Sequence, residues 1–172
     1  MANVKKPSTK GLIFIAVAAV GFILAIVGLF LDAVSSYAEM LGQKISLGIG
    51  LFDLGGSGAS FPGELVMVFG IVTLVLALAS CVLVVLKSIG ILNLKNVVMF
   101  AIGGLTVLCA VLTIVFGFVF VGSLNNTIPE GIEGIGYAIE AGPILTAIGG
   151  VLAGVPLFLV KDNAEAAPVN EG

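Results

Sequence analysis

The sequence predicts an all-α membrane protein: a left-handed bundle of four transmembrane helices with a small β-hairpin in its first extracellular loop. Three observations carry this expectation. The 172 residues are 59% hydrophobic and 10% charged, at a mean hydropathy of +1.27, whereas soluble domains carry about 25% charged residues. Four uncharged runs, at 11–31, 65–86, 97–122 and 141–160, each reach the roughly 20 residues that cross a hydrocarbon core of about 30 Å. Between the second and third runs lies only a short polar segment, while longer ones follow the first and third.

Each run is rich in Ile, Leu, Val, Phe and Ala, without the alternation of a barrel strand. Inside a bilayer every backbone amide must be bonded within its own segment, so such runs become helices. Residues 1–10 then form the N-terminal segment, and 32–64 the first outer loop. Residues 87–96 form the inner loop, 123–140 the second outer loop, and 161–172 a short polar tail. Pro62 and Glu64 suit the first turn of the second span, and Gly142-Pro143 opens the fourth in the same way. Pro156 removes the amide that would bond to Leu152 and is expected near the helix end.

Lys5, Lys6, Lys10, Lys87, Lys95 and Lys161 all fall on one side of these spans, which the positive-inside rule makes cytoplasmic. Asp32, Glu39, Asp53, Glu64, Glu130, Glu133 and Glu140 fall on the other, with Tyr37 and Tyr137 as interfacial anchors. The expected location is the plasma membrane, with both termini cytoplasmic. Ala33-Val34-Ser35 after the first run imitates a signal-cleavage site, but a run of 21 residues exceeds a signal core of about 7–15.

Small residues recur at three- and four-residue spacing in every span: Ala18, Gly21, Ala25 and Gly28; Gly70, Thr73, Ala77 and Ser80; Gly103, Thr106, Ala110, Thr113 and Gly117. The fourth span carries Gly142, Thr146, Gly149 and Ala153, with Gly150 and Gly154 as an adjacent stripe. Lipid supplies no hydrophobic drive for helix association, so small residues that admit close backbone approach are the expected contacts. Their seven-residue repeat predicts left-handed packing. A second reading assigns some stripes to other subunits, and the doubly striped fourth span suits it best.

Much chemistry is excluded. The chain has no His, Arg or Trp, so the usual neutral-pH base, the commonest metal ligand and bidentate phosphate recognition are missing. No Asp, Glu, Lys or Arg lies inside a span, which weighs against a proton relay or ion-coupled carrier. Cys81 and Cys109 lie deep in apolar runs as small buried residues. We expect no catalytic set, no cofactor, no metal site and no nucleic-acid partner.

The outer loops are the candidate recognition surfaces. Ile45, Leu47, Ile49 and Leu51 alternate with Ser46, Gly48 and Gly50, which predicts a strand over 44–51 paired with one over 35–40 through a turn at 41–43. Gly55-Gly56-Ser57-Gly58 then reads as a flexible return. In the second loop Ile128, Ile132, Ile135 and Ile139 predict a short, soft helix, with Glu130, Glu133, Tyr137 and Glu140 turned away. Gly131, Gly134 and Gly136 each weaken it by about 1 kcal/mol. Those acids are read as solvated rather than as Ca²⁺ ligands, and Asn125-Asn126-Thr127 fits a glycosylation pattern.

The segment Ser46-Leu47-Gly48-Ile49-Gly50-Leu51-Phe52 resembles the Gly-Leu-Trp segment in the first outer loop of the claudin-like tetraspan superfamily. Residues 45–56 also look like the first loop of small bacterial four-span proteins. The resemblance implies the four-span plan and transfers no functional residue, since the Trp and the paired loop cysteines are missing. The expected function is a non-enzymatic structural or interaction protein in the lipid bilayer. It either self-assembles as a homo-oligomer or serves as a small subunit beside other membrane proteins. The alternative is a channel or carrier whose pathway forms between subunits.

Overall fold

The computed structural model describes residues 7–40, 43–56, 61–91, 95–130 and 132–160. The elements run α1 (Thr9–Phe30), β1 (Asp32–Met40), β2 (Gln43–Gly50), the single turn α2 (Asp53–Gly56), α3 (Phe61–Ser88), α4 (Asn96–Asn125), β3 (Ile135–Ile139), α5 (Ala141–Gly154) and the single turn α6 (Pro156–Leu159). Among the described residues four helical segments, with α5 and α6 counted as one, are long and apolar enough to cross a membrane. Residues 41–42 of the turn expected at 41–43, residues 57–58 of the expected flexible return, and Lys5, Lys6 and Lys161 with the tail lie outside the described residues.

The helix ends do not simply coincide with the ends of the apolar runs. Ser8 caps α1, its Oγ accepting from the Gly11 amide at 3.1 Å. Helix α3 starts at Phe61, with Pro62 and Glu64 in its first turn. It is 28 residues long and α4 is 30, about 42 and 45 Å at the α-helical rise. Both therefore extend beyond their apolar runs. Pro156 divides the last segment: Val155 still bonds back to Val151 at 2.9 Å, and α6 begins at the proline.

Helix α1 packs most extensively on α5, and α3 on α4, while α5 also meets α4 and α3. Helix α5 is consequently the most buried of the four spans. Ala25, Ala77 and Ala153 meet between α1, α3 and α5, with Phe22 and Leu74 closing over them. Both α5 stripes are buried inside the chain. An ideal Cβ at Gly150 would lie 2.9 Å from Ala110 Cβ, and one at Gly154 would lie 3.0 Å from Gly103 O.

The stripe Ile128, Ile132, Ile135 and Ile139 in the second outer loop, expected to form a short, soft helix, does not do so. Helix α4 instead continues to Asn125, and Ile135–Ile139 forms β3, giving an antiparallel sheet of order β2-β1-β3. Two forces decide this. Gly134, at φ +81°, and Gly136 penalise a helix. Strand β1 meanwhile presents an unpaired edge, and β3 takes it up in register Val34↔Ile139, Ser36↔Tyr137 and Ala38↔Ile135. A smaller difference is that Gly55 and Gly56 belong to α2, whose Leu54 is buried.

Crowding at α5 generates a stability prediction. A Cβ at Gly149 would lie 2.5 Å from Gly21 O and 2.9 Å from Ala25 Cα, whereas Gly104 has open space. Gly149→Leu is expected to destabilise by about 3 kcal/mol or more, the upper end of overpacking. Gly104→Ala is expected to stabilise by about 0.5–1 kcal/mol. Thermal unfolding in mild detergent checks both signs.

Candidate functional site

Two regions gather the residues singled out above: the helix seams and the sheet. All the named small residues of the four stripes are buried. In the α1–α5 seam the backbones touch. An ideal Cβ at Gly28 would lie 2.6 Å from Thr146 Oγ1 and 2.7 Å from Gly142 O, and one at Gly21 would lie 2.6 Å from Gly149 O. Between α3 and α4 hydroxyls add to the contact: Ser80 Oγ and Thr106 Oγ1 are 3.1 Å apart, and Thr73 Oγ1 and Thr113 Oγ1 are 3.4 Å apart. Thr106 and Thr113 also donate to the carbonyls of Ile102 and Cys109 one turn back. Gly70 and Gly117, read as helix–helix contacts, chiefly receive side chains from the sheet end. Leu51 Cδ2 comes within 3.0 Å of a Cβ at Gly70, and Ile139 Cδ1 within 2.8 Å of one at Gly117.

Registers on both sides of β1 place three cross-strand rows on one face of the sheet: Ile49–Val34–Ile139, Leu47–Ser36–Tyr137 and Ile45–Ala38–Ile135. The first row packs into the core cluster with Leu29, Val66 and Phe120. Leu51, with Leu54, is fully in that cluster, so it is a core residue and not an accessible recognition residue. Burial falls away along the strands. Leu47 is 70% exposed, Ile45 58% and Ile135 49%. Tyr137 stays partly buried against the cluster.

The opposite face is polar. Lys44 Nζ stands 4.1 Å over the Tyr37 ring, and Tyr37 covers Gly136 where any side chain would clash. Glu140 is not turned away into solvent as expected: its Oε1 accepts from the buried Ser35 Oγ at 2.5 Å, and its amide donates to Ala33 O at 3.0 Å. Glu130 and Glu133 are exposed. Among the described residues no three thiol or carboxylate groups gather as a metal-ligand set.

Sequence reasoning missed Ser35 and Asn125. The Asn125 side chain accepts from the Tyr137 amide at 2.8 Å and donates to the Tyr137 carbonyl at 3.1 Å. It thereby closes the outer edge of β3, using the amide that the glycosylation pattern marks. The missed signal was the period-two run Ile135, Tyr137, Ile139. On the other side, β2 pairs with β1 alone among the described residues. The chain matches no protein-family model, and no curated protein matches it significantly.

Two isosteric substitutions separate paired from unpaired hydroxyls. Thr146 Oγ1 is buried and, among the described residues, has no hydrogen-bond partner. Thr146→Val is expected to leave stability unchanged or raise it, because the orphan hydroxyl disappears while the shape stays. Thr106→Val is expected to cost about 0.6–1.7 kcal/mol, the range for an interhelical hydrogen bond in a membrane bundle. Unfolding free energies from denaturant titration in detergent read both.

Proposed function

We propose that this chain is a structural or interaction protein of the plasma membrane that associates laterally with further copies of itself. A small subunit's place among other membrane proteins is the variant of the same reading. It is a left-handed four-span bundle with both termini cytoplasmic and the sheet outside. Heptad spacing of the small residues supports the handedness, and the distribution of lysines supports the orientation.

The observation that carries the proposal is the apolar row Ile45, Leu47 and Ile135, exposed beyond the bundle rim next to a strand edge that only β1 pairs among the described residues. Exposed strands with apolar faces invite pairing with another chain, and folds that do not use such an edge blunt it with charge or cover it. Asn125 covers the β3 edge of this same sheet. Helix seams are occupied within the chain, so recognition falls to the sheet. Self-association follows from an edge that is complementary to itself under a two-fold axis.

Native mass spectrometry of the full chain released from membranes in mild detergent tests this. A defined homo-oligomer is expected, and Leu47→Glu is expected to raise its dissociation constant roughly tenfold or more, from the loss of one buried leucine. A monodisperse monomer with no cross-linked neighbours in the native membrane would contradict the reading. A stoichiometric second protein would replace self-association by the subunit variant.

A further inference from the structure

At the end of the bundle opposite the sheet, a cavity of about 410 Å³ opens between the start of α1, the end of α3 and the last turn of α6. Ser8, Lys10 and Gly11 form one wall and Lys87 and Ser88 another, while Phe14, Leu159 and Val160 make an apolar side. Three features of this cavity point to an anion.

The first is the N-terminus of α1, a helix of 22 residues. Its first-turn amides at Thr9 and Lys10 have no intrahelical acceptor, and the positive end of the helix dipole faces the opening. The second is Ser88. It is 6% exposed, and among the described residues its Oγ has no hydrogen-bond partner. A buried hydroxyl without a partner is unfavourable, so it marks a place where an acceptor belongs. Gly11 lies beside it: an ideal Cβ there would make ordinary contact with both Ser8 Oγ and Ser88 Oγ at 3.5 Å. The third is charge. Lys87 is only 7% exposed and is oriented by donation to Asn96 Oδ1 at 2.8 Å. Its ammonium offsets the negative end of α3, which leaves Lys10 as the cation facing the opening.

We propose that this cavity binds a phosphate-class anion, held by the α1 N-terminus, Lys10 and the Ser88 hydroxyl. The same chemistry is offered by the phosphodiester of an anionic lipid headgroup and by free phosphate. The apolar wall of Phe14 and Leu159 accommodates the acyl chains that only the first would bring.

Native mass spectrometry of the full chain in detergent, with equimolar phosphatidylglycerol and phosphatidylcholine of matched acyl chains, provides the lipid arm. Wild type is expected to retain the anionic lipid in preference. Lys10→Gln is expected to cut that preference about fivefold, the scale of one cation facing an anionic headgroup, and Ser88→Ala to reduce it as well. Lys95→Gln, outside the cavity wall, is expected to leave it unchanged. A second arm needs no variant: inorganic phosphate is titrated while the Gly11 and Ser88 amide resonances are followed. Saturable shifts there with no lipid preference would assign the site to free phosphate and uphold the proposal. Equal retention of both lipids together with unmoved resonances would overturn it. So would a lipid preference that Lys10→Gln and Ser88→Ala leave intact.

Discussion

Backbone contact between α1 and α5 is the constraint on which the rest of the molecule depends. In lipid, apolar side chains gain little by meeting one another, and association rests on how closely two helices approach. Gly21, Gly28, Gly142 and Gly149 allow main-chain atoms to touch where any Cβ would intrude. The approach also sets the sheet. Helix α1 passes through Leu31 directly into β1, and β3 passes through Glu140 directly into α5. An ideal Cβ at Gly142 would strike Leu31 O at 2.8 Å and Asp32 O at 2.7 Å. The Glu140 amide and carboxylate then tie this junction to Ala33 and Ser35. Moving α5 away from α1 would therefore pull β3 off β1.

The two ends of the bundle differ in kind as a result. Beside the α1–α5 junction, the sheet presents a face that grades from core to exposed apolar surface, with one edge closed by Asn125 and the other belonging to β2. At the far end α1 begins and α3 ends around a cavity lined by lysines and hydroxyls. Between them the seams contain alanine, glycine and paired threonines rather than charge. The charged side chains thus gather at the two ends of the bundle, away from its middle.

Much of this plan was legible in the sequence because lipid makes its physics local. A run of about 20 uncharged residues has few alternatives to a helix, and burial of Ala18, Gly21, Ala25 and Gly28 on one face follows from spacing alone. The strand over β2 was legible through the alternation of Ile45, Leu47 and Ile49. What was not legible depends on distant partners. Residues 135–139 carry helical and strand periodicities at once. The choice is made by the open edge of β1, about 100 residues earlier. Likewise nothing local says that Gly70 would receive Leu51, that Asn125 would close a strand edge, or that Glu140 would turn inward to Ser35. The cavity was invisible for the same reason: Gly11 and Ser88 become neighbours only when α1 and α3 pack.

The most direct test of the α1–α5 contact is carbon–carbon correlation by solid-state NMR on the protein in bilayers. Cross-peaks between Gly28 and Thr146, and between Ala25 and Gly149, are expected. They should persist at full relative intensity when labelled protein is diluted into an excess of unlabelled copies. Cross-peaks that vanish on dilution would make the contact one between molecules. Their absence from the undiluted sample would remove the contact altogether, and either result would contradict the account.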